Sequence, residues 1–181
     1  SGLIMAIIGG TLAGIFRHHL AQTGQDALSH ETYNMMVTMH GTIMVFWVAM
    51  PILIGAFGNF CIPLMIGARD MAFPTLNMLS IWTFLLSCVV LIVSFFVPGG
   101  AFGGGWTGYP PLSADARFTE LNWGIVLWVV ALALEFASVL MGGVNYVTTS
   151  LNMRTKGMSL FKLPIIVWME LIASVIFMLS I

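Results

Sequence analysis

The fold of this chain is decided by the stretch YNMMVTMHGTIMVFWVAMPILIGAFGNFCIPLMI, residues 33–66. A membrane helix needs about 20 apolar residues to cross a hydrocarbon core of about 30 Å. This stretch is long enough to cross with tilt, and Pro51 and Pro63 are positions where the helix can kink. One histidine, His40, lies inside it. The stretch therefore predicts a membrane helix that carries a buried imidazole.

Composition indicates that the rest of the chain also lies in a lipid bilayer. The 181 residues are 59% hydrophobic and 7% charged, whereas soluble domains carry about a quarter charged residues. Six Lys and Arg against seven Asp and Glu leave no basic field for nucleic acid. Cys61 and Cys88 lie in apolar surroundings, and we interpret them as packing residues rather than as a disulfide or a metal pair.

Four further apolar segments predict a polytopic all-α transmembrane bundle. The first is too short to cross alone, and both chain ends fall inside apolar runs, so we expect one partial domain over residues 1–181, truncated at both ends. The predicted spans cover residues 1–16, 33–66, 76–97, 121–149 and 163–181.

Positive charges indicate the orientation of the bundle. The loops after the second and fourth spans carry more Lys and Arg than the opposite side, which places those two loops in the cytoplasm, or in the matrix of an organelle. The first group is Arg69, Arg154, Lys156 and Lys162, against Arg17 and Arg117. Pro98, Gly99 and Gly100 end the third span, and Tyr109-Pro110-Pro111 is expected to form a stiff extended stretch of a structured loop.

His40 is the first candidate for chemistry. An ionisable residue at membrane depth is costly and usually functional, and a neutral imidazole can bind a metal through one nitrogen while the other donates a hydrogen bond. Gly41 removes a side chain beside it, which would let a flat macrocycle approach, and Met36, Met44, Phe46 and Trp47 would supply an apolar wall. The alternative is a neutral histidine bonded to a neighbouring helix.

Asp70 is the second candidate, because it follows a long apolar span on the predicted cytoplasmic side. A carboxylate there can pass protons to ordered water, and Asn59 and Asn77 on either side can hold a file of water. The alternative is a surface carboxylate that caps a loop, paired with Arg69.

Other ionisable residues have simpler interpretations. Glu135 and Glu170 lie within spans and are expected to be uncharged, or to face a wet or paired interior; helix–helix hydrogen bonding is the favoured account of both, and their different depths argue against a direct pair. Arg17 is expected to extend to the interface. The remaining histidines lack zinc-site spacing and are expected to be solvated; they are His18, His19 and His30.

Several collinear motifs share their pattern with one family of membrane enzymes. They are TMHG (38–41), GAFGNF (55–60), PLMIGARDMAFP (63–74), LN (76–77), GW (105–106), YPPLS (109–113), GVNYVTT (143–149), NMR (152–154) and GMSLFKLP (157–164). Together they cover nearly the whole chain and resemble subunit I of the haem–copper oxygen reductases, of the cytochrome c oxidase and quinol oxidase type. The resemblance implies about five spans of a twelve-helix subunit.

The resemblance implies a haem-binding role for five residues. His40, in the Thr-x-His-Gly pattern with Gly41, matches one axial ligand of the low-spin haem iron. Arg17 matches an arginine that hydrogen-bonds the haem periphery. Trp106 and Tyr109 match residues of an outer loop that folds near the haem propionates.

The resemblance also implies a proton channel. Asp70 matches the aspartate that opens the so-called D channel, and Asn59 and Asn77 match two asparagines near its mouth. Ser138 matches a channel-lining serine, while Val139 stands where many members have a second serine, a difference that alters the expected water file without closing it.

The remaining parts of such an enzyme lie outside this sequence. The high-spin haem, the copper and their ligands are expected in the intact protein, so no catalytic residue is expected in this chain and the chain alone is not expected to be active. The implied partners are a copper-bearing subunit II, subunit III, oxygen, the lipid bilayer, and cytochrome c or quinol as electron donor, in a bacterial plasma membrane rather than the mitochondrial inner membrane.

Two alternatives stay open at this point, and two others are disfavoured. A quinol oxidase shares these helices and differs in its electron donor. A proton-conducting membrane protein without haem would suit Asp70 and Glu135. A purely structural bundle is disfavoured by the collinear motifs, and a nitric oxide reductase is disfavoured by Asp70 with Asn59 and Asn77.

Overall fold

The computed structural model describes residues 1–22, 28–115 and 123–180, and within these ranges the chain is helical and contains no strand. The predicted all-α class is confirmed. The α-helices are α1 (Gly2–Ala21), α2 (His30–Thr42), α3 (Phe57–Ile66), α4 (Pro74–Val93), α5 (Trp123–Asn152) and α6 (Ile165–Ser180), with π-helical segments at Ile43–Ala49 and Pro51–Ala56 and 3₁₀ turns at Ser94–Phe96 and Leu160–Lys162.

In the part of the chain that the structure describes, four continuous helices are long and apolar enough to cross a membrane. They cover Gly2–Ala21, His30–Ile66, Pro74–Phe96 and Trp123–Asn152. The fifth, α6, is apolar but has 16 described residues, about 24 Å of rise, which is below the thickness of the hydrocarbon core. The order of the spans is the predicted one. Leu121 at the predicted start of the fourth span, Ile181 at the end of the fifth, and Arg117 of the orientation argument lie outside the described residues.

The first span is longer than predicted. We expected it to end near Phe16, where the apolar run stops, but α1 continues through Arg17 to Ala21. A charged residue such as Arg17 ends the apolar run, but it does not end the helix, because arginine is a good helix former. The last turn also gains an exposed side-chain bond between Gln22 Nε2 and His18 Nε2 at 2.8 Å. The span is thus long enough to cross a membrane.

The second span starts at a serine cap. The Ser29 hydroxyl accepts a hydrogen bond from the Thr32 amide at 3.2 Å, which satisfies one of the unpaired N–H groups of the first turn. The helix consequently begins at His30, three residues before the predicted Tyr33.

The middle of the same span is π-helical. These wider turns occupy Ile43–Ala49 and Pro51–Ala56. Pro51 has no N–H to donate, and it is the first residue of the second wide segment. Helical segments of this kind occur frequently at functional sites. The α-helical pattern returns at α3, which includes Pro63 and ends at Gly67 with φ 74°.

The loop after α4 turns where an extended stretch was predicted. The amides of Ala114 and Asp115 donate to the Pro111 carbonyl at 3.1 and 2.9 Å. The peptide bond between Pro110 and Pro111 is cis. The extended prediction for Tyr109-Pro110-Pro111 is therefore wrong, because backbone hydrogen bonds close residues 110–114 into turns.

The chain divides into two compact units. Unit one comprises Ser1–Ala49 and Leu86–Leu132, and unit two comprises Met50–Leu85 and Ala133–Ile181. Unit one buries large side chains that include Met39, Ile43, Trp47, Leu91 and Phe102. Unit two has a core cluster of Ile62, Ile66, Met71, Tyr146, Leu163 and Val167. The prediction of a single domain over residues 1–181 stays a prediction.

Candidate functional site

The His40 ring is oriented by a main-chain carbonyl in unit one. Its Nδ1 lies 2.8 Å from the Gly9 carbonyl oxygen. A carbonyl oxygen can only accept a hydrogen bond, so this contact assigns the proton to Nδ1. The Nε2 atom then carries the free lone pair. This is the arrangement in which a histidine binds a metal through one nitrogen while a hydrogen bond on the other fixes its tautomer.

Close approach of α1 to the helix of His40 makes this bond possible. A Cβ atom on Gly9 would lie 2.9 Å from Met44 Sδ and 3.1 Å from Ile43 Cγ2. The glycine at position 9 thus leaves room for these side chains beside its backbone. The sequence reasoning did not single out Gly9; the signal was its place in an otherwise apolar helix.

One aromatic ring contacts His40 directly, and further aromatic side chains lie in the same unit. The Phe16 ring meets the imidazole edge-on, with ring centroids 5.6 Å apart, and the same ring contacts Tyr33 at 6.1 Å. Trp47 is fully buried, and its indole N–H donates to the Ser87 hydroxyl at 3.0 Å. Met36 and Met44 are partly buried. The imidazole therefore lies in a largely apolar and aromatic environment.

Gly41 has a protein neighbour in this structure. A Cβ atom there would lie 2.9 Å from Trp106 Cδ1 and 3.0 Å from Trp106 Cγ. The glycine therefore allows an indole ring to pack directly on the backbone of α2. Trp106 also contacts Phe46, with centroids 6.3 Å apart. The close approach of a flat ring at Gly41 was expected of a macrocycle, and contact with haem stays a prediction.

Hydrogen bonds attach both the Trp106 loop and α5 to α2. The Gly105 amide, beside Trp106, donates to Thr38 Oγ1 at 3.0 Å. One turn further along α2, Thr42 Oγ1 accepts from the indole of Trp128 on α5 at 3.1 Å. The first bond holds the Trp106 loop beside the turn of α2 that contains His40.

The other predicted haem contacts are solvent-accessible. Arg17 is exposed on α1. Trp106 is 44% exposed and Tyr109 is 70% exposed, so both have surface left for a further group. Their haem-binding roles stay predictions.

The described residues contain no group of three or more His, Cys, Asp or Glu side chains that could hold a metal ion. A metal at His40 would therefore take its remaining ligands from a macrocycle or from elsewhere in a longer protein. The available Nε2, the apolar surroundings and the partial exposure of the ring all fit an axial ligand to haem iron. Neither Cys61 nor Cys88 forms a disulfide bond.

The Asp70 loop is the second candidate site, and it belongs to unit two. Asp70 is exposed, and its Oδ1 accepts a hydrogen bond from the Met71 amide at 2.7 Å. The loop-capping alternative is thus present in the structure. It leaves the second carboxylate oxygen available, so capping and proton uptake are compatible.

The two asparagines near Asp70 each contain an unpaired oxygen. Asn59 Nδ2 donates to the Gly55 carbonyl at 2.7 Å and to the Tyr146 hydroxyl at 2.8 Å. The Oδ1 atoms of Asn59 and Asn77 are buried and have no hydrogen-bond partner in the described part of the chain. Buried polar atoms of this kind are usually satisfied by ordered water. The two side chains therefore have the acceptors that a water file needs.

Ser138 joins the same region through the backbone of α4. Its hydroxyl donates to the Ser80 carbonyl at 2.7 Å, and the Ser80 hydroxyl donates to the Asn77 carbonyl at 2.8 Å. The structure thus brings Ser138 and Asn77 to one stretch of helix packing.

Sequence reasoning missed the residues that hold the Asp70 loop. Asn145 accepts from the Phe73 amide at 2.9 Å and donates to the Phe73 carbonyl at 3.0 Å. Thr149 Oγ1 accepts from the Ala72 amide at 2.9 Å. Both lie on α5 at four-residue spacing, which puts them on one face. That spacing of polar residues in an apolar span was the available signal.

A small cavity of about 10 Å³ lies beside Tyr146, a volume near that of one water molecule. The Ser174 hydroxyl, which is buried and without a partner among the described residues, lines it. Val139 also lines the cavity. It stands where the resemblance led us to expect a second serine, and its side chain is apolar. The lining is Ile54, Val139, Gly143, Tyr146, Ala173, Ser174 and Phe177.

Glu135 does not make the helix–helix hydrogen bond that was predicted for it. The residue is fully buried, and neither carboxylate oxygen has a partner within residues 1–22, 28–115 and 123–180. The prediction is wrong because no donor reaches the carboxylate in its turn of α5. Glu170 is partly buried, and its Oε2 is likewise without a partner in that part of the chain.

Comparisons with known proteins agree in pointing to one family. The family described as "Cytochrome C and Quinol oxidase polypeptide I" matches residues 1–181. The chain is 49% identical over 148 residues to "Alternative cytochrome c oxidase subunit 1" of Bradyrhizobium diazoefficiens, covering 82% of this chain and 25% of the relative. It is 42% identical over 174 residues to "Probable cytochrome c oxidase subunit 1-beta" of Nocardia farcinica, covering 96% and 29%.

A cyanobacterial relative is matched over almost the entire chain. "Cytochrome c oxidase subunit 1" of Synechocystis sp. is 42% identical over 180 residues, which are 99% of this chain and 31% of the relative. The chain thus spans between a quarter and a third of the length of these curated relatives.

Proposed function

The chain belongs to the cytochrome c and quinol oxidase polypeptide I family, and we propose that it forms part of the catalytic subunit of a respiratory terminal oxidase. In this proposal the intact subunit reduces oxygen to water and couples the reaction to proton pumping. The names of the relatives favour cytochrome c over quinol as electron donor. Their bacterial sources favour the bacterial plasma membrane.

One observation carries the proposed haem role of His40. The hydrogen bond from Nδ1 to the Gly9 carbonyl leaves Nε2 as the only ring nitrogen able to bind iron. The main chain thus determines both the tautomer and the direction of the ring before any metal binds. A low-spin haem bound there would supply electron transfer. Arg17, Trp106 and Tyr109 would contact its periphery, and Gly41 would keep the backbone accessible to a flat ring.

The Asp70 region supports the proposed proton entrance. Asp70 is exposed and can exchange protons with solvent. Behind it, the unpaired oxygens of Asn59 and Asn77 and the hydroxyl of Ser138 can order water. Entry of an electron into a dry membrane site needs a compensating positive charge, and a proton path meets that need.

Subunits and further cofactors follow from the same proposal. The high-spin haem and copper would be held by the remainder of the intact subunit. A copper-bearing subunit II and a subunit III would be its partners in the bilayer. This chain would contribute one haem ligand and the proton entrance.

The His40→Leu variant of the intact oxidase tests the haem proposal. Removing one axial ligand should abolish the optical spectrum of six-coordinate low-spin haem, because leucine cannot bind iron. The matched control is His18→Leu, which changes an exposed histidine of α1 that is hydrogen-bonded to Gln22. An unchanged low-spin spectrum in His40→Leu, with the variant fully assembled, would refute the proposal. Absence of low-spin haem from the wild-type protein would favour a haem-free proton conductor.

A further inference from the structure

A buried polar face runs along α5. Glu135, Ser138, Asn145 and Thr149 are separated by three, seven and four residues, which places them on one side of an α-helix. All four are buried. The stretch from Thr149 to Glu135 rises about 21 Å at 1.5 Å per residue, most of the thickness of a hydrocarbon core.

Three of the four residues bind the chain segment that follows Asp70. Thr149 accepts from the Ala72 amide, and Asn145 is paired with both backbone groups of Phe73. Ser138 donates to the Ser80 carbonyl. The polar face therefore begins at the Asp70 loop and continues along α4 in the direction of Glu135.

Glu135 is the exception on this face. Its exposed fraction is 0%, and both of its oxygens are unpaired within the described residues. The Lys and Arg side chains of the sequence are at positions 17, 69, 117, 154, 156 and 162, so α4, α5 and α6 contain no cation that could balance a carboxylate. A buried, unpaired carboxylate is very costly, and binding a proton removes that cost.

We propose that Glu135 is a proton-binding carboxyl that receives protons from the path that starts at Asp70. Serine, asparagine and threonine on the same face can orient water, but only the carboxyl can store a proton. The inference rests on the proposed proton entrance at Asp70, which it extends by one membrane-embedded group.

The transfer step is balanced without any other reactant. A protonated water that arrives from the Asp70 side gives its extra proton to the carbonyl oxygen of the carboxyl, and the O–H bond on the other oxygen breaks as its proton passes to the next water. The carboxyl is neutral before and after the step. One turn away, Ser138 can orient the incoming water, because its hydroxyl oxygen has a lone pair free to accept a bond.

Infrared difference spectroscopy of the intact, assembled oxidase tests the assignment directly. The wild-type enzyme should show the carbonyl stretch of a protonated carboxyl that shifts in D₂O. The Glu135→Gln variant should lack that band while keeping the haem spectrum. Glu170→Gln, which changes the other carboxyl within a helix of unit two, should keep it. If Glu135→Gln does not assemble, Glu135→Asp should show the band at a shifted position.

Proton uptake coupled to oxygen reduction provides the functional readout. We expect Glu135→Gln to slow it by roughly tenfold or more, as for loss of a proton-transferring side chain, and Glu170→Gln to leave it unchanged. A band that survives Glu135→Gln, or an unchanged uptake rate, would overturn the inference.

The Asp70→Asn variant distinguishes the two levels of the proposal. If it slows proton uptake while Glu135→Gln has no effect, the entrance stands and the role of Glu135 is rejected. If Asp70→Asn has no effect but Glu135→Gln removes both band and uptake, the entrance is rejected and Glu135 takes its proton from another route.

Discussion

Units one and two use opposite strategies to build a site inside an apolar bundle. In unit one a single polar ring, His40, is held by one hydrogen bond to a main-chain carbonyl and meets the ring of Phe16 edge-on. In unit two the side chains of Asn145, Thr149 and Ser138 bind backbone groups of the segment that follows Asp70.

The difference matches two kinds of transport. An electron carrier needs a fixed ligand in surroundings that reorganise little, which rigid aromatic packing provides. A proton path needs closely spaced groups that donate and accept hydrogen bonds, with some acceptors left for water. Unit two has such acceptors at Asn59, Asn77 and Glu135. Substitutions in the two units should therefore destabilise the protein for different reasons: lost hydrogen bonds in unit two and disturbed aromatic packing in unit one.

The largest loss of stability is expected in unit two from Asn145→Leu. The change leaves the partly buried Phe73 N–H and C=O groups without their partners, and each such group costs up to about 1–3 kcal/mol. The temperature at which the purified oxidase loses its haem spectrum should fall sharply. Thr148→Val, which removes an exposed hydroxyl bound within its own helix, is the control. Equal effects of the two changes would contradict the importance of the loop attachment.

The end of α3 offers the next largest effect. Gly67 has φ 74°, and a Cβ atom there would collide with Thr155 Cγ2. Gly67→Ala should cost about 1–2 kcal/mol for the left-handed backbone plus about 1–3 kcal/mol for the collision. Gly157→Ala isolates the backbone contribution, because Gly157 has φ 89° and open space around it. The same melting measurement should rank Gly67→Ala clearly below Gly157→Ala.

Aromatic packing in unit one is tested by Gly41→Ala. The new methyl group would press on the Trp106 ring, which we expect to cost about 1–3 kcal/mol and to shift the low-spin haem spectrum. Gly10→Ala adds the same methyl to α1 where nothing lies within 4 Å, and it should stabilise by up to about 1 kcal/mol. A Gly41→Ala protein with unchanged melting and spectrum would argue against the contact with Trp106.

The smallest effect should come from Trp128→Phe. Phenylalanine keeps a six-membered aromatic ring but loses the five-membered ring with the N–H that binds Thr42 Oγ1, a bond worth about 0.5–1.5 kcal/mol. Trp123→Phe, at a residue that is 67% exposed, should be neutral in the same melting experiment. A loss larger than that of Gly41→Ala would mean that hydrogen bonding also dominates unit one.

Much of the fold was predictable because a bilayer imposes one simple condition. Residues 33–66 and 123–152 are apolar over the length of a membrane crossing, and only a helix satisfies the backbone there. The boundaries were less accurate. Arg17 and His18 end the apolar run, while α1 continues to Ala21. The Ser29 cap makes the second helix begin before the residue that the apolar pattern predicted. Charge and helix formation are separate properties, so hydropathy locates the span better than its ends.

The candidate site was predicted in part. His40, Asp70, Asn59, Asn77 and Ser138 were all selected from residue type, depth and motif, and the structure gives each a setting compatible with its predicted role. The supporting residues were not selected, since nothing local marks Gly9, Asn145 or Thr149 as partners of residues 31, 72 and 77 positions away. Such pairs arise from packing between distant segments.

By itself, the sequence determined that the chain spans a membrane as helices, which family pattern it follows, and which few polar residues lie in apolar surroundings. Those properties depend on composition and order along the chain. Only the tertiary structure decided that Nδ1 of His40 carries the proton, that Trp106 covers Gly41, and that Glu135 lacks a partner in the described chain. Hydrogen bonds and close contacts depend on distances of a few ångströms between separate helices, and no linear pattern specifies those distances.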